Sequence, residues 1–150
     1  MSLKERINDD LKAAMKEKNA VKLQTIRSIR AMILEFEKSG SGKEITPEDE
    51  IKMLSQAAKK RQESIEQFRN AGRNELADKE AAELKIIQEY LPKQLTPEEI
   101  ETEVKRIAKE VGAETKADFA KLMPVAAREL KGKADGKTVK TIVENVLGSN

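Results

Sequence analysis

Apolar residues recur every three or four positions along most of the chain, which is the spacing of helices with one apolar face. In the first part of the chain this spacing predicts helices over residues 3–18, 20–38 and 47–71, followed by a fourth whose apolar stripe runs from Leu76 to Leu91. The stripe of the second helix is wider than that of the first, so we expect the second helix to be central. No segment shows the alternation of apolar and polar residues that is typical of a β-strand.

Residues that start and stop helices support these limits. Thr46 and Thr96 each precede a proline and two acidic residues, a pattern typical of helix N-termini. The Ser-Gly-Ser-Gly sequence at residues 39–42 predicts a flexible loop. Pro92 lacks an N–H donor and restricts the residue before it, so we place a domain boundary there.

Three further helices are predicted after this boundary. The first covers residues 97–111, the second follows a capping pair at Thr115 and Asp118, and the third follows Asp135 as its cap. Pro124 falls inside the second of these helices. We therefore expect a kink or a new helix start at that position.

Together these elements predict an all-α protein with an N-terminal four-helix bundle over residues 1–92 and a small C-terminal three-helix bundle over residues 93–150. The composition agrees, because 38% of the residues are hydrophobic and 37% are charged. Such a balance is typical of narrow helices with one apolar stripe and a wide solvated face. With three Phe, one Tyr and no Trp, aliphatic side chains have to fill the core.

The chain lacks the side chains on which most catalytic sites depend. It has no Cys and no His, which excludes thiol nucleophiles, disulfides and imidazole bases. Acidic runs at residues 9–10 and 48–50 lie at helix ends or on polar faces, where solvated carboxylates are common. The sequence therefore predicts no catalytic residue, no metal site and no small-molecule cofactor.

The distribution of apolar residues also bears on location. No stretch approaches the roughly 20 apolar residues of a membrane span, and the first residues lack the apolar core of a signal peptide. We therefore expect a cytoplasmic protein without a membrane partner.

Charged residues interrupt several apolar stripes. Arg27 and Arg30 fall near the stripe of the second helix, Arg61 on that of the third, and Glu80 and Glu83 on that of the fourth. One interpretation is a functional pocket of paired charges. The other is partly buried Arg–Glu pairing that fixes how the helices pack, with long Arg stems reaching outward.

The segment from residue 131 to 140 is the best candidate for a binding site. Its lysines, Lys131, Lys133, Lys137 and Lys140, lie beside two glycines and near a helix N-terminus, where backbone amides attract anions. Contact with nucleic-acid phosphates is one hypothesis. An ordinary solvated turn is the other, because Asp135 is expected to cap that helix itself.

The overall charge does not decide between them. Residues 1–93 contain 19 basic and 17 acidic residues, and residues 94–150 contain ten of each. Neither part is a strongly basic nucleic-acid module by count. A binding face would have to arise from the arrangement of charges. The basic run of residues 59–61 is interpreted as an exposed helix face.

Three segments of the chain resemble the YqeY-like family of bacterial cytosolic proteins. The segments are Leu11 to Lys16 with Leu23 to Arg27; Arg61 to Phe68 with Ala71-Gly72-Arg73, Glu80, Glu83 and Tyr90 to Leu95; and Asp118 to Met123 with Lys131 to Lys137. The family in turn resembles the C-terminal tail region of the B subunit of aspartyl/glutamyl-tRNA amidotransferase, a carbon-nitrogen ligase with glutamine as amido donor. That tail is helical and is implicated in contacting tRNA.

The resemblance implies a helical module that binds tRNA or a tRNA-amidotransferase or synthetase complex, without activity of its own. In that case Lys131, Lys133, Lys137 and Lys140 would contact phosphates. A protein-interaction adaptor without nucleic-acid contact is the first alternative. An enzyme that transfers amide nitrogen is the second, and the missing nucleophile argues against it.

Overall fold

A computed structural model describes residues 2–39 and 44–148, and every regular element within them is helical, which confirms the predicted all-α class. These described ranges contain seven α-helices, and a 3-10 turn (Lys116–Asp118) precedes the sixth. The α-helices are α1 (Leu3–Glu17), α2 (Ala20–Lys38), α3 (Pro47–Asn70), α4 (Asn74–Gln88), α5 (Pro97–Val111), α6 (Phe119–Glu129) and α7 (Gly136–Gly148). Apart from Ser39, the loop predicted at residues 39–42 lies outside the described residues.

The chain divides into two compact units, an N-terminal unit (Met1–Leu91) that holds α1 to α4 and a C-terminal unit (Pro92–Asn150) that holds α5 to α7. In the N-terminal unit, α2 packs against both α1 and α4, and α3 packs along α4. In the C-terminal unit, each of the three helices contacts the other two.

Each unit has an aliphatic core of its own. The core of the N-terminal unit includes Ile7, Ile26, Ile29, Ile33, Leu54 and Ile87. The core of the C-terminal unit includes Val104, Ile107, Leu122, Val139, Val143 and Leu147. The aromatic side chains Tyr90 and Phe119 are only half-buried at the edges of these cores. None of the helices in the described part of the chain combines the length and hydrophobicity needed to cross a membrane.

The predicted caps explain where several helices begin. Thr46 Oγ1 accepts a hydrogen bond from the backbone N of Asp49 (3.1 Å), and Thr96 Oγ1 accepts one from Glu99 (3.2 Å). Each acidic side chain in turn accepts a hydrogen bond from the backbone N–H of its threonine. Both capping boxes satisfy backbone donors that the first turn of a helix leaves without partners.

Two large apolar residues that follow the helical spacing, Met15 in α1 and Leu76 in α4, are exposed. Leu76 is 40% exposed and Met15 is 55% exposed. In α4 the buried positions are Ala77, Glu83 and Ile87, so the inward face of this helix is turned away from Leu76. The helix also ends at Gln88, before the predicted limit at Leu91, which lies in the connection that follows.

Helix α6 continues through Pro124 without a new helix start. A proline removes one helical hydrogen bond and crowds the carbonyl four residues earlier. Here Leu122 and Ala126, on either side of the proline, are both fully buried in the C-terminal core. Burial of these neighbours holds the helix together across Pro124, whose own ring is exposed.

Candidate functional site

The four candidate lysines lie on the connection between α6 and α7 and on the first turns of α7, and all four are exposed. Lys131 and Lys133 are carried by the connection itself, which we call the lysine turn (residues 130–135). Lys137 and Lys140 are three residues apart in α7, so they share one face of that helix.

The backbone of the lysine turn is held in a specific conformation. Gly132 is buried and has a φ of +81°, in the left-handed region that favours glycine. The backbone N–H groups of Lys133 and Ala134 both donate to the carbonyl of Leu130, at 2.9 and 3.2 Å. These bonds close the chain at the end of α6, which is a common role of a left-handed glycine after a helix.

Asp135 occupies the N-terminus of α7, as predicted. Its Oδ2 accepts hydrogen bonds from the backbone N (3.3 Å) and from the hydroxyl (3.1 Å) of Thr138. The helix end therefore already has a carboxylate in place, and an anion would not find that position open. Any anion binding at this site has to come from the lysine side chains.

The two acidic residues closest in sequence to the lysine turn, Glu129 and Asp135, are engaged elsewhere. Glu129 accepts a hydrogen bond from Arg106 Nη2 at 3.2 Å, and Asp135 serves as the cap of α7. Arg106 also bonds Glu103 and Glu110, and these bonds raise the pKa of its guanidinium. For Lys131, Lys133 and Lys140, no carboxylate of the described residues lies within ion-pair distance.

Sequence reasoning missed the residues that hold the lysine turn from outside. Gln94 Nε2 donates to the carbonyl of Gly132 at 2.7 Å, and the backbone N of Leu95 donates to the carbonyl of Lys133 at 2.9 Å. The sequence gives no local signal for these contacts, because 38 residues separate Gln94 from Gly132.

Arg128, an exposed cation one turn before Lys131, was also missed, although its spacing from Lys131 could have pointed to it.

Charged side chains also meet inside the N-terminal unit. Arg61 Nε and Glu83 Oε2 are 3.3 Å apart, with side chains 14% and 9% exposed. The same guanidinium donates to the carbonyl of Ala57 (3.3 Å) and to Ser28 Oγ (3.4 Å). The structure thus confirms partly buried Arg–Glu pairing between α3 and α4.

The other charged residues near the apolar stripes do not join this pair. Arg27 and Arg30 are exposed on α2, and Glu80 is half-exposed on α4. In the described part of the chain, no three acidic side chains come together in a way that could hold a metal ion. Of the charged residues that interrupt the apolar stripes, only Arg61 and Glu83 therefore form a pair within the described residues, and they do not form the predicted pocket of several paired charges.

Comparison with known proteins agrees with the motifs. The family described as Yqey-like protein matches residues 4–147, which is nearly the whole chain. The chain belongs to the YqeY-like family. Two of the segments that carry this family resemblance, Tyr90 to Leu95 and Lys131 to Lys137, meet in the structure through Gln94 and Leu95.

Relatives in fungi share the name "Altered inheritance of mitochondria protein 41, mitochondrial". The protein from Pyrenophora tritici-repentis is 35% identical over 147 residues, which cover 96% of this chain and 80% of the relative. The proteins from Meyerozyma guilliermondii and Eremothecium gossypii are 39% and 35% identical over 85 residues. These matches cover 55% and 57% of this chain, but only 42% and 46% of the relatives.

The names of these relatives overturn the predicted location. We expected a cytoplasmic protein, and the relatives are named as mitochondrial proteins. The prediction is wrong because it used the absence of a signal-peptide core as evidence for the cytoplasm, which that absence does not supply.

Tyr90 lies two residues after the end of α4, in the family segment Tyr90 to Leu95, and contacts α1. Its hydroxyl donates to Asp10 Oδ2, and the Arg6 guanidinium lies 4.5 Å from the ring centroid. Arg6 also donates to the carbonyl of Glu89 at 3.0 Å. Burial raises the pKa of Tyr90 well above its usual value, and the hydrogen bond to Asp10 raises this pKa further.

The titration of Tyr90 provides a direct check of this cluster. Phenolate absorbance reports this residue alone, because the chain has one Tyr and no Trp. We expect the pKa to lie above the ordinary value of about 10 and to fall towards it in Asp10→Asn. Since folding favours the neutral phenol, its stabilising effect should be complete below about pH 10 and be lost as the pH rises through the folded-state pKa. An ordinary pKa in the folded protein would contradict the cluster.

Proposed function

We propose that the chain is a helical binding module that engages tRNA, or a complex that amidates tRNA, through Lys131, Lys133, Lys137 and Lys140. In this proposal the C-terminal unit acts as a three-helix bundle that contacts phosphates, and the N-terminal unit acts as a separate four-helix bundle. The module binds and has no catalytic activity of its own. The family's resemblance to the tail of the amidotransferase B subunit supports tRNA as the nucleic acid.

The observation that carries this proposal is the local arrangement of charge. Residues 128–140 contain five basic residues and two acidic ones, and both acids have hydrogen-bond partners within the unit. Basic residues therefore exceed acidic ones in residues 128–140, although residues 94–150 contain equal numbers of both. Most of the acidic residues of the C-terminal unit lie outside residues 128–140. Lys131, Lys133 and Lys140 have no carboxylate partner among the described residues, and such cations attract phosphates more strongly than cations held in ion pairs.

The spacing of the lysines favours a ligand with several phosphates over one with a single phosphate. Lys131 and Lys133 lie on the turn, while Lys137 and Lys140 follow along one face of α7. Cations spread over a turn and a helix face suit a phosphate backbone better than a compact anion. Lysine suits this role because its flexible stem makes phosphate contacts without reading base sequence.

Replacing the four lysines by glutamine tests the proposal. We expect the tRNA affinity of this quadruple variant at about 0.1 M salt to fall by roughly 100-fold or more, because each neutralised phosphate contact adds to the affinity through counterion release. The matched control is Lys59→Gln with Lys60→Gln, which removes two exposed lysines from α3. The control should bind within about twofold of the unaltered chain if only non-specific charge is lost there. Unchanged affinity of the quadruple variant would contradict the proposal.

The alternative is a protein-interaction adaptor without nucleic-acid contact, which the ten basic and ten acidic residues of positions 94–150 favour. Crosslinking in cells, followed by identification of the captured molecules, separates the two functions. Capture of tRNA supports the first proposal. Capture of protein partners that persists after nuclease treatment, with no RNA recovered before it, supports the adaptor.

A further inference from the structure

The segment Pro92 to Leu95 lies directly against the lysine turn, within the same unit. Gln94 Nε2 donates two hydrogen bonds, to the carbonyl of Gly132 at 2.7 Å and to the carbonyl of Pro92 at 2.9 Å. Next to it, the backbone N of Leu95 donates to the carbonyl of Lys133 at 2.9 Å. Two consecutive carbonyls of the lysine turn are therefore held by a segment from elsewhere in the chain.

These contacts satisfy groups that the turn cannot satisfy alone. The carbonyls that follow a helix C-terminus have no helical partner, and a buried carbonyl needs a donor. Gly132 is buried, and the bonds that close α6 use the carbonyl of Leu130, so the carbonyl of Gly132 takes its donor from Gln94. The side-chain amide of Gln94 has two N–H groups, and both of its bonds go to backbone carbonyls.

We infer that Gln94 is a positioning residue for anion binding, which fixes the backbone that carries Lys131 and Lys133. The inference rests on the proposed function, and it assigns a role in anion binding to a side chain that carries no charge itself. A lysine side chain loses rotamer freedom when its ammonium group is held at a phosphate. A fixed backbone limits the further entropy that is lost when two such lysines engage one ligand.

The inference separates the four lysines into two groups. Lys131 and Lys133 depend on the conformation of the turn, and therefore on Gln94. Lys137 and Lys140 lie in α7, where the helix backbone fixes their positions, so their contributions should not depend on Gln94. A purely structural role of Gln94 in stability would not distinguish between these groups.

Double-mutant cycles in the full chain, with tRNA affinity as the readout, test this separation. Gln94→Met keeps the length of the side chain but removes both N–H groups, and we expect it to lower the affinity by about three- to tenfold, the usual effect of one hydrogen bond. Its effect should shrink in the Lys133→Gln background and remain in full in the Lys140→Gln background. Gln67→Met, at an exposed position of α3, is the matched control and should leave the affinity unchanged.

A second measurement reports on the backbone conformation of the lysine turn in the absence of RNA. Amide exchange at Leu95, whose N–H donates to Lys133, should become faster in Gln94→Met and stay unchanged in Gln67→Met. Circular dichroism checks that the helices persist. If Gln94→Met loses them, Gln94→Asn, which keeps the amide one methylene shorter, takes its place in the cycles.

The outcomes for Gln94 and for the proposed function can be told apart. If the unaltered chain binds tRNA and Gln94→Met binds equally well, or if its loss is the same in both lysine backgrounds, the positioning role is overturned and the proposed function stands. If the unaltered chain does not bind tRNA at low salt, the proposed function falls, and the anion role of Gln94 falls with it.

Discussion

Replacing Glu83 by alanine is expected to lower the free energy of unfolding of the N-terminal unit by about 3 kcal/mol. The two side chains of the Arg61–Glu83 pair are 14% and 9% exposed, so solvent can do little to replace the lost carboxylate. Arg61 would keep its bonds to Ala57 and Ser28, but its charge would remain inside without compensation. Urea denaturation followed by Tyr90 fluorescence measures this unit, because Tyr90 is the only Tyr and the chain has no Trp.

Two comparisons make the Glu83 result specific. Glu37→Ala removes an ion pair with Lys4 whose side chains are 38% and 52% exposed, and it should cost only about 0.5 kcal/mol. The double variant Arg61→Met with Glu83→Leu removes both charges and should recover most of the loss. A loss for Glu83→Ala no larger than that for Glu37→Ala would show that the pair is not buried in solution.

Replacing Leu122 by alanine should lower the stability of the C-terminal unit by about 3 kcal/mol. Leu122 is fully buried in that core, on α6, which contacts both α5 and α7. A unit of 59 residues is expected to have a total stability of only about 3 to 9 kcal/mol, so the loss is a large part of it. Amide signals of this unit in two-dimensional NMR, followed during urea denaturation, measure the change.

Leu76→Ala is the matched control for Leu122, because it makes the same chemical change at a side chain that is 40% exposed. It should cost about 0.5 kcal/mol or less. In Leu122→Ala, we expect the transition reported by Tyr90 fluorescence to stay in place while that of the C-terminal unit shifts to lower urea. Equal losses for the two leucine variants would contradict the assigned core.

Most of the fold could be predicted because helix signals are local. The threonine-proline starts, the three- and four-residue spacing and the αL glycine at Gly112 act within one or two turns. The errors arose where packing overrides local pattern. Leu76 falls at a position of the apolar stripe predicted for α4, but it is exposed because α4 packs through Ala77 and Ile87 instead. The new helix start, one of the two outcomes expected at Pro124, is absent because core burial on both sides outweighs one lost hydrogen bond.

The candidate site could be predicted only in part. The lysines, the glycine and the capping aspartate follow one another in the sequence, so their positions beside the start of α7 could be inferred from spacing. The engagement of Glu129 by Arg106 and the support of Gly132 by Gln94 depend on contacts between distant segments. Such contacts arise from the folded C-terminal unit, and no periodicity in a single sequence reports them.

The salt dependence of tRNA binding by the unaltered chain tests the central claim most directly. If the four lysines neutralise phosphates, the logarithm of the association constant should fall linearly with the logarithm of salt concentration, with a slope of about −3. The same plot for the quadruple glutamine variant should be nearly flat. A flat plot for the unaltered chain, or no binding at low salt, would contradict the claim that the lysines at the α6–α7 turn bind a phosphate backbone.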